Sequence, residues 1–238
     1  MLKFLGSGSG FADEHTSAYF VTKEDELVVI DCPVSAFQKL KKKELLGYKD
    51  IYVLITHTHG DHIGGLGLFA QYAYFVAKKN IIIVAPSVEV AKDIETVLLI
   101  EGNELSWCKL ITAEELKGKE WFGEAILTEH SPQLKGKCFG YQLYINDANC
   151  IYTGDTSTLE PFVPYLNAGT CLYVDVSVHY GMIHLKLEDV LPMLKRFIEI
   201  GVKIALMHLD DTWAASKILD ENELSASDVD IIYPGDCE

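Results

Sequence analysis

Positive charge is scarce in this chain. Its 238 residues include one arginine, Arg196, and 20 basic residues in all against 35 acidic ones, a formal net charge of −15. Phosphate neutralisation dominates affinity for long nucleic acid, and no basic stripe is present to supply it. Long DNA or RNA is therefore not the favoured partner. The one basic cluster, Lys41-Lys42-Lys43, falls in an apparent helix and reads as a solvated face. Long apolar runs are also missing: none approaches the roughly 20 residues that span a bilayer, so no membrane association is expected. The opening Met1-Leu2-Lys3-Phe4-Leu5-Gly6 is too short for a signal peptide and reads as a first strand. The six cysteines (Cys32, Cys108, Cys138, Cys150, Cys171, Cys237) form no Cys-x-x-Cys pair. Several lie in strand-like runs, where a free thiol behaves as a small apolar residue. A reducing cytoplasm is the expected setting, and a catalytic or metal-binding cysteine is not expected. No linker or low-complexity stretch interrupts the chain. With 49% hydrophobic residues it can bury one large core, and a single domain over 1–238 is expected.

Histidine is rare too, with 8 residues, yet three of them and an aspartate crowd into Thr56-His57-Thr58-His59-Gly60-Asp61-His62. The apolar run Ile51–Ile55 leads into this motif and Gly64-Gly65-Leu66-Gly67 follows it. A buried strand would thus deliver its C-terminal end into a tight turn. His57 and His59, two apart, can share one side of an extended segment. Asp61 and His62 follow the turn and can face a second position. Imidazole with carboxylate suits zinc, with manganese and iron as close competitors.

Apolar periodicity predicts strands at Leu2–Leu5, Ala18–Val21, Leu27–Ile30, Ile51–Ile55, Ile81–Ala85, Leu105–Ile111 and Ala125–Thr128, then Cys138–Ile145, Cys150–Tyr152, Cys171–Val176 and Ile204–Met207. Helical patterns cover Val34–Leu46, Leu66–Lys78, Val88–Ile100, Leu159–Leu166 and Leu187–Ile200, with a short one at Trp213–Leu219. Pro86-Ser87 and Thr158 read as helix starts. Polar turns at Lys23-Glu24-Asp25 and Asn146-Asp147 predict hairpins. The alternating Asp228–Tyr233 reads as an edge strand in a surface cap. Periodicity supports a mixed α/β fold and no more than that.

The motif resembles the His-x-His-x-Asp-His signature of the metallo-β-lactamase superfamily. That resemblance implies a four-layer αββα sandwich and further ligands at strand ends. Each has a candidate here: His130 after Ala125–Glu129, Asp155 in Thr153-Gly154-Asp155, and His208 after Ile204–Met207. By the resemblance His57, His59 and His130 hold one metal and Asp61, His62 and His208 a second, with Asp155 bridging two Zn²⁺. Asp31 and Asp175 are candidates to orient the ligand imidazoles.

Within the superfamily, Asp at position 155 argues against the zinc β-lactamases, which carry Cys there. His59 with Asp61-His62 argues against flavodiiron proteins. The glycine-rich opening Phe4–Gly10, and His184 just ahead of the helical pattern Leu187–Ile200, resemble the RNase Z branch, in which such a histidine protonates the leaving group. His179 is a rival for that role. RNase Z enzymes also carry a basic Gly/Pro-rich arm that grips tRNA, and neither 63–130 nor 131–155 contains one. A short, armless, acidic chain is most similar to cyclic-nucleotide phosphodiesterases of the anti-Pycsar type, which degrade host cyclic nucleotide signals. The implied substrate is a small anionic phosphodiester. Two metals about 3.5–4 Å apart would activate the attacking water, Asp61 would accept its hydrogen bond, and His184 would supply the proton. Ser131 or Lys137 could touch substrate, and a homodimer is possible. The alternatives are an RNase Z-like tRNA 3′ endonuclease, a lactonase or thioesterase, and a non-catalytic binding protein.

Overall fold

The computed structural model describes residues 1–179 and 181–233. Cys237 lies outside them. The first half of the chain runs β1 (Lys3–Gly6), β2 (Ser17–Val21), β3 (Leu27–Ile30), α1 (Val34–Leu40), β4 (Ile51–Leu54), α2 (Gly60–Ile63), α3 (Leu66–Phe75), β5 (Ile81–Ala85), α4 (Val88–Ile100) and β6 (Cys108–Thr112). The second half runs β7 (Phe122–Thr128), β8 (Cys138–Ile145), β9 (Ala148–Tyr152), β10 (Cys171–Asp175), α5 (Leu187–Glu199), β11 (Lys203–Met207), α6 (Thr212–Glu221) and β12 (Val229–Ile231). Each half forms one six-stranded sheet, in the order β1 to β6 and β12 to β7. In each sheet two antiparallel pairings lead into three parallel ones. The second half thus repeats the topology of the first.

The side-chain period of two decides which layer each residue joins. Along β3 and β4, Leu27, Val29, Ile51 and Val53 pack against Phe37, Leu40, Phe69 and Ile94 of the outer helices. The alternate residues Val28, Ile30, Tyr52 and Leu54 meet Tyr141, Leu143, Tyr152 and Tyr173 of the other sheet. A third core joins Leu172, Val174, Ile204 and Leu206 to Leu187, Leu191, Leu194 and Leu219 of α5 and α6. Three cores stack four layers, helices-sheet-sheet-helices, and this is the expected αββα sandwich. Strands buried on both faces read as unbroken apolar runs, which explains why they were visible in the sequence.

Three expected elements are corrected. The helix at Leu159–Leu166 is absent; only a 3₁₀ turn at Val163–Tyr165 forms. Pro161 and Pro164 each lack the amide hydrogen that a helix interior uses, and Thr158 therefore starts no helix. α1 stops at Leu40, so Lys41-Lys42-Lys43 follows the helix, where cations favour its negative end. The strand expected from Leu105 begins at Cys108, and Leu105–Trp107 is a 3₁₀ turn whose Trp107 ring packs on Tyr74 and Phe75. The hairpins, the Ser87 cap of α4 (which accepts from Val90 N) and the edge strand β12 fall where expected. Asn146 and Asp147 both sit at positive φ (51° and 67°), as a two-residue hairpin turn requires. The five described cysteines are buried and unpaired. No helix among the described residues is long and apolar enough to cross a membrane.

Candidate metal centre

The parallel strands of both sheets release their C-terminal ends on one side of the sandwich, and the polar residues gather there. β4 ends into Thr56-His57, after which His59 opens the one-turn helix α2 carrying Asp61 and His62. The Tyr141 hydroxyl donates to the Ile55 carbonyl at 2.6 Å and ties the second sheet to this exit. His130 follows β7, Asp155 follows β9, Asp175 ends β10 and His208 follows β11. Gly154 turns the chain into Asp155 at φ +60°, and a Cβ there would meet the Phe139 carbonyl at 2.6 Å. His208 holds a left-handed φ of 58° without being glycine, a cost of about 1–3 kcal/mol that the surrounding structure must sustain.

Around Asp155 the candidate side chains converge. One Asp155 oxygen lies 3.2 Å from His62 Nε2. The other lies 3.4 Å from His208 Nε2, 3.6 Å from His130 Nε2 and 3.8 Å from His57 Nε2. Asp61 approaches His62 Nε2 at 3.4 Å and His208 Nε2 at 3.5 Å. His59 Nδ1 faces His130 Nε2 at 3.3 Å. Donor atoms of His57, His59, His130 and Asp155 all lie within 4.8 Å of one another, as do those of Asp61, His62, Asp155 and His208. The seven residues singled out in the sequence therefore meet as two overlapping sets that share Asp155.

The hydrogen-bond network fixes which imidazole nitrogen carries hydrogen. His130 Nδ1 donates to the Ile183 carbonyl at 2.7 Å, so its Nε2 keeps a lone pair. His62 Nδ1 donates to Asp31 Oδ2 at 2.8 Å. The Thr56 hydroxyl donates to the same Asp31 oxygen at 2.7 Å and accepts from His57 Nδ1 at 3.0 Å. His208 Nδ1 points at Asp175 Oδ1, 3.3 Å away. Three of these rings are held from outside by a hydrogen bond at Nδ1 and the fourth, His208, faces Asp175 there, so that the Nε2 atoms point inward. The buried Nε2 atoms of His57, His62 and His208 have no hydrogen-bond partner. Buried ring nitrogens without a hydrogen-bond partner, aimed at one point with two carboxylates among them, fit a divalent metal of the zinc, manganese or iron type.

Electrostatics agree with this fit. Burial and neighbouring imidazoles hold His57 well below the usual histidine range, and burial lowers His59 and His130. Burial opposes charge on His62 and His208 as well, but Asp155 and Asp31 raise His62 well above its usual range, and Asp155, Asp175 and Asp61 lift His208 to about 10. Protein stripped of metal thus stores protons on the atoms a metal would occupy. Metal uptake near pH 7 is expected to release about two protons per chain. Affinity should weaken as pH falls and rise with pH through about 10, where His208 loses its proton unaided. Calorimetric metal titrations in buffers of different ionisation enthalpy measure this release; heats independent of the buffer would contradict it.

His184 stands beside the cluster. Its Nδ1 donates to Asp175 Oδ2 at 2.8 Å, and its ring stacks on His208 with centroids 4.9 Å apart. Burial opposes its protonation, but the Asp175 carboxylate raises its pKa. His179 lies apart, about half exposed, with Nε2 3.2 Å from Asp211. Ser131 donates to Gln133 and Lys137 pairs with Asp93. Sequence reasoning missed Thr56, whose position directly before His57 was the available signal. It also missed the Ile183 carbonyl, a backbone atom that no residue type announces, and Gly10, where a Cβ would stand 2.9 Å from Asp61 Oδ2.

Three comparisons with known proteins bear on this arrangement. A family model described as anti-Pycsar protein Apyc1 matches residues 1–226. An anti-Pycsar protein Apyc1 of Bacillus phage BSP38 is 25% identical over 233 residues, covering 88% of this chain and 89% of the relative. A ribonuclease Z of Listeria monocytogenes is 25% identical over 154 residues, covering 61% of this chain and 49% of the relative. The match thus spans about half the length of that enzyme. Among solved structures, the metallo-β-lactamase fold protein YhfI from Bacillus subtilis superposes with a TM-score of 0.75 at 18% identity, over 98% of this chain and 96% of that one. That likeness shows the metallo-β-lactamase fold.

Proposed function

The chain belongs to the anti-Pycsar protein Apyc1 family, and on that premise we propose that it is a metal-dependent phosphodiesterase, with a cyclic nucleotide as substrate and two zinc ions as cofactor. The observation that carries the reading is the pair of ligand sets sharing Asp155 with a braced, proton-bearing His184 alongside. His57, His59 and His130 would hold one ion, Asp61, His62 and His208 the other, and Asp155 would touch both. The ions would lower the pKa of water and neutralise phosphoryl oxygens. The chain's own residues do the rest. Asp61, the more open of the two central carboxylates, accepts a hydrogen bond from the attacking water and sets its direction. His184, kept protonated by Asp175, gives its proton to the departing alkoxide, which would otherwise leave as a strong base. Asp31 and Asp175 hold the rings so that no ligand reorients during the reaction.

The ribonuclease Z relatives favour a second reading, a tRNA 3′ endonuclease. Charge and construction weigh against it. Residues 63–130 are taken up by α3, β5, α4, β6 and β7 with short connections and no basic arm, and a net charge of −15 repels a polyanion. Metal-reconstituted protein at physiological salt is expected to cleave 3′,5′-cyclic mononucleotides faster than it trims a pre-tRNA. Efficient, accurate removal of the tRNA trailer, with cyclic nucleotides untouched, would reverse the assignment. Turnover of a lactone or thioester alone would move the chain to another hydrolase class.

A further inference from the structure

Three large apolar side chains stand in solvent on segments fastened to the metal centre. Phe11 and Met182 are each 95% exposed and Trp213 is 73% exposed. Single exposed apolar residues are ordinary on a protein surface. The placement of these three is not scattered. Phe11 follows Gly10, which packs against Asp61, so its Cα is about 3.8 Å further along the chain. Ala12 N donates to the Ser9 carbonyl at 3.0 Å, which closes a turn with Gly10 and Phe11 at its tip. Ser9 N donates to the Leu209 carbonyl, and Leu209 N to the Ser7 carbonyl, so this turn is laced to the residue after His208. Met182 precedes Ile183, whose carbonyl braces His130, and lies two residues from His184. Ser177 N donates to the carbonyl of Leu185, the residue after His184, and Asp210 accepts from Ser177 Oγ and from the amides of Val178 and His179. Trp213 lies in the first turn of α6, where Asp211 caps Ala214 N at 2.8 Å. All three segments therefore converge on the Leu209–Asp211 corner beside the cluster.

We propose that Phe11, Trp213 and Met182 form an apolar clamp for the heterocyclic base of the substrate, an inference that rests on the phosphodiesterase reading. The metals and their ligands can hold only the phosphate. The rest of a cyclic nucleotide is a sugar and a flat, uncharged aromatic ring, which offers a surface for stacking and no charge for a metal to hold. Stacking on aromatic and thioether surfaces adds affinity without charge, roughly 5- to 100-fold per base contact.

The test compares wild type with Phe11→Ala, Trp213→Ala, Met182→Ala and the conservative Phe11→Tyr. Two ratios are measured on the zinc-loaded protein. One is kcat/KM for a 3′,5′-cyclic nucleotide over that for the base-free ribose cyclic phosphate. The other is equilibrium affinity for a nucleoside 5′-monophosphate over that for ribose 5-phosphate. Both ratios are expected to fall roughly 5- to 100-fold in Phe11→Ala and Trp213→Ala, less in Met182→Ala, and to be retained in Phe11→Tyr. Ratios unchanged in every alanine variant would overturn the clamp. A change of mass in solution with the ratios intact would also overturn it, and would assign the face to a second copy of the chain. If wild type cleaves neither substrate, the phosphodiesterase reading fails, and the binding ratio still decides the clamp by itself.

Discussion

Asp155→Ala is expected to remove metal from both positions at once and to lower kcat/KM by at least roughly 10³-fold, about 4 kcal/mol of transition-state stabilisation. Asp155 is the only carboxylate among the described residues whose two oxygens reach both imidazole sets, at 3.2 Å to His62 on one side and 3.4, 3.6 and 3.8 Å to His208, His130 and His57 on the other. Burial alone would raise its pKa, but His208 and His62 hold it well below the usual carboxylate range, so it carries full negative charge at neutral pH. Losing that charge leaves His62 and His208 without their main counter-ion inside the protein, where an unpaired charge is costly. Asp155→Asn keeps the shape and removes the charge, and should show the same metal loss with less disturbance of folding. His208→Ala should mainly empty the Asp61–His62 side and leave close to one ion bound. Elemental analysis with the zinc-induced rise in Tm reads all three variants, because a ligand that binds only the folded state stabilises it. Full retention of two metals by Asp155→Asn would remove Asp155 from the bridging role. Absence of bound metal in wild type, with no activation by added zinc or manganese, would remove the enzymatic reading altogether.

Which parts of this architecture were legible in the sequence follows from where the information resides. β3, β4 and β5 are buried on both faces, so Leu27–Ile30, Ile51–Ile55 and Ile81–Ala85 announced themselves as apolar runs, and a polar residue at the end of such a run pointed to the cluster. Asp31 was found that way, whereas His130, Asp155 and His208 were located through the metallo-β-lactamase resemblance, which calls for ligands at strand ends. Leu159–Leu166 misled because Leu159 and Phe162, both buried in the third core, carry a helix-like spacing. Its prolines were the better guide, since a missing amide hydrogen outweighs an apolar period. The Lys41–Lys43 triplet was placed inside a helix because nothing local marks the end of α1; Lys41 itself is the cap. What stayed hidden was relational. No residue type shows that the Ile183 carbonyl would brace His130 across 53 positions, or that Asp210, in what reads as an acidic surface segment, would pin the loop ahead of His184. Such contacts exist only once the second half of the chain has closed on itself.

His184→Ala is expected to leave metal content intact and to slow release of a poor alkoxide leaving group by roughly 10²–10⁴-fold, the range of general acid catalysis. The fold should tolerate the change, since Asp175 Oδ2 still accepts from Thr156 N at 2.9 Å and is not left unpaired. A substrate that expels p-nitrophenolate needs no proton and should lose much less. The difference between the two substrates is therefore the informative quantity. His184→Gln, whose amide can still donate to Asp175 but carries no transferable proton, should resemble His184→Ala on the alkoxide substrate. The pH profile supplies an independent readout. Burial opposes protonation of His184, but Asp175 raises its pKa above the ordinary histidine value, so the acid form is fully present below that ordinary value and is lost as pH climbs through the raised one. In wild type the alkoxide substrate should show a falling alkaline limb, and that limb should vanish in both variants. Equal losses on the two substrates, with the limb preserved, would make His184 a residue that positions His208 through their stacked rings. No loss on either would place the proton transfer elsewhere and favour a lactone or thioester substrate, whose leaving group makes a smaller demand on an acid.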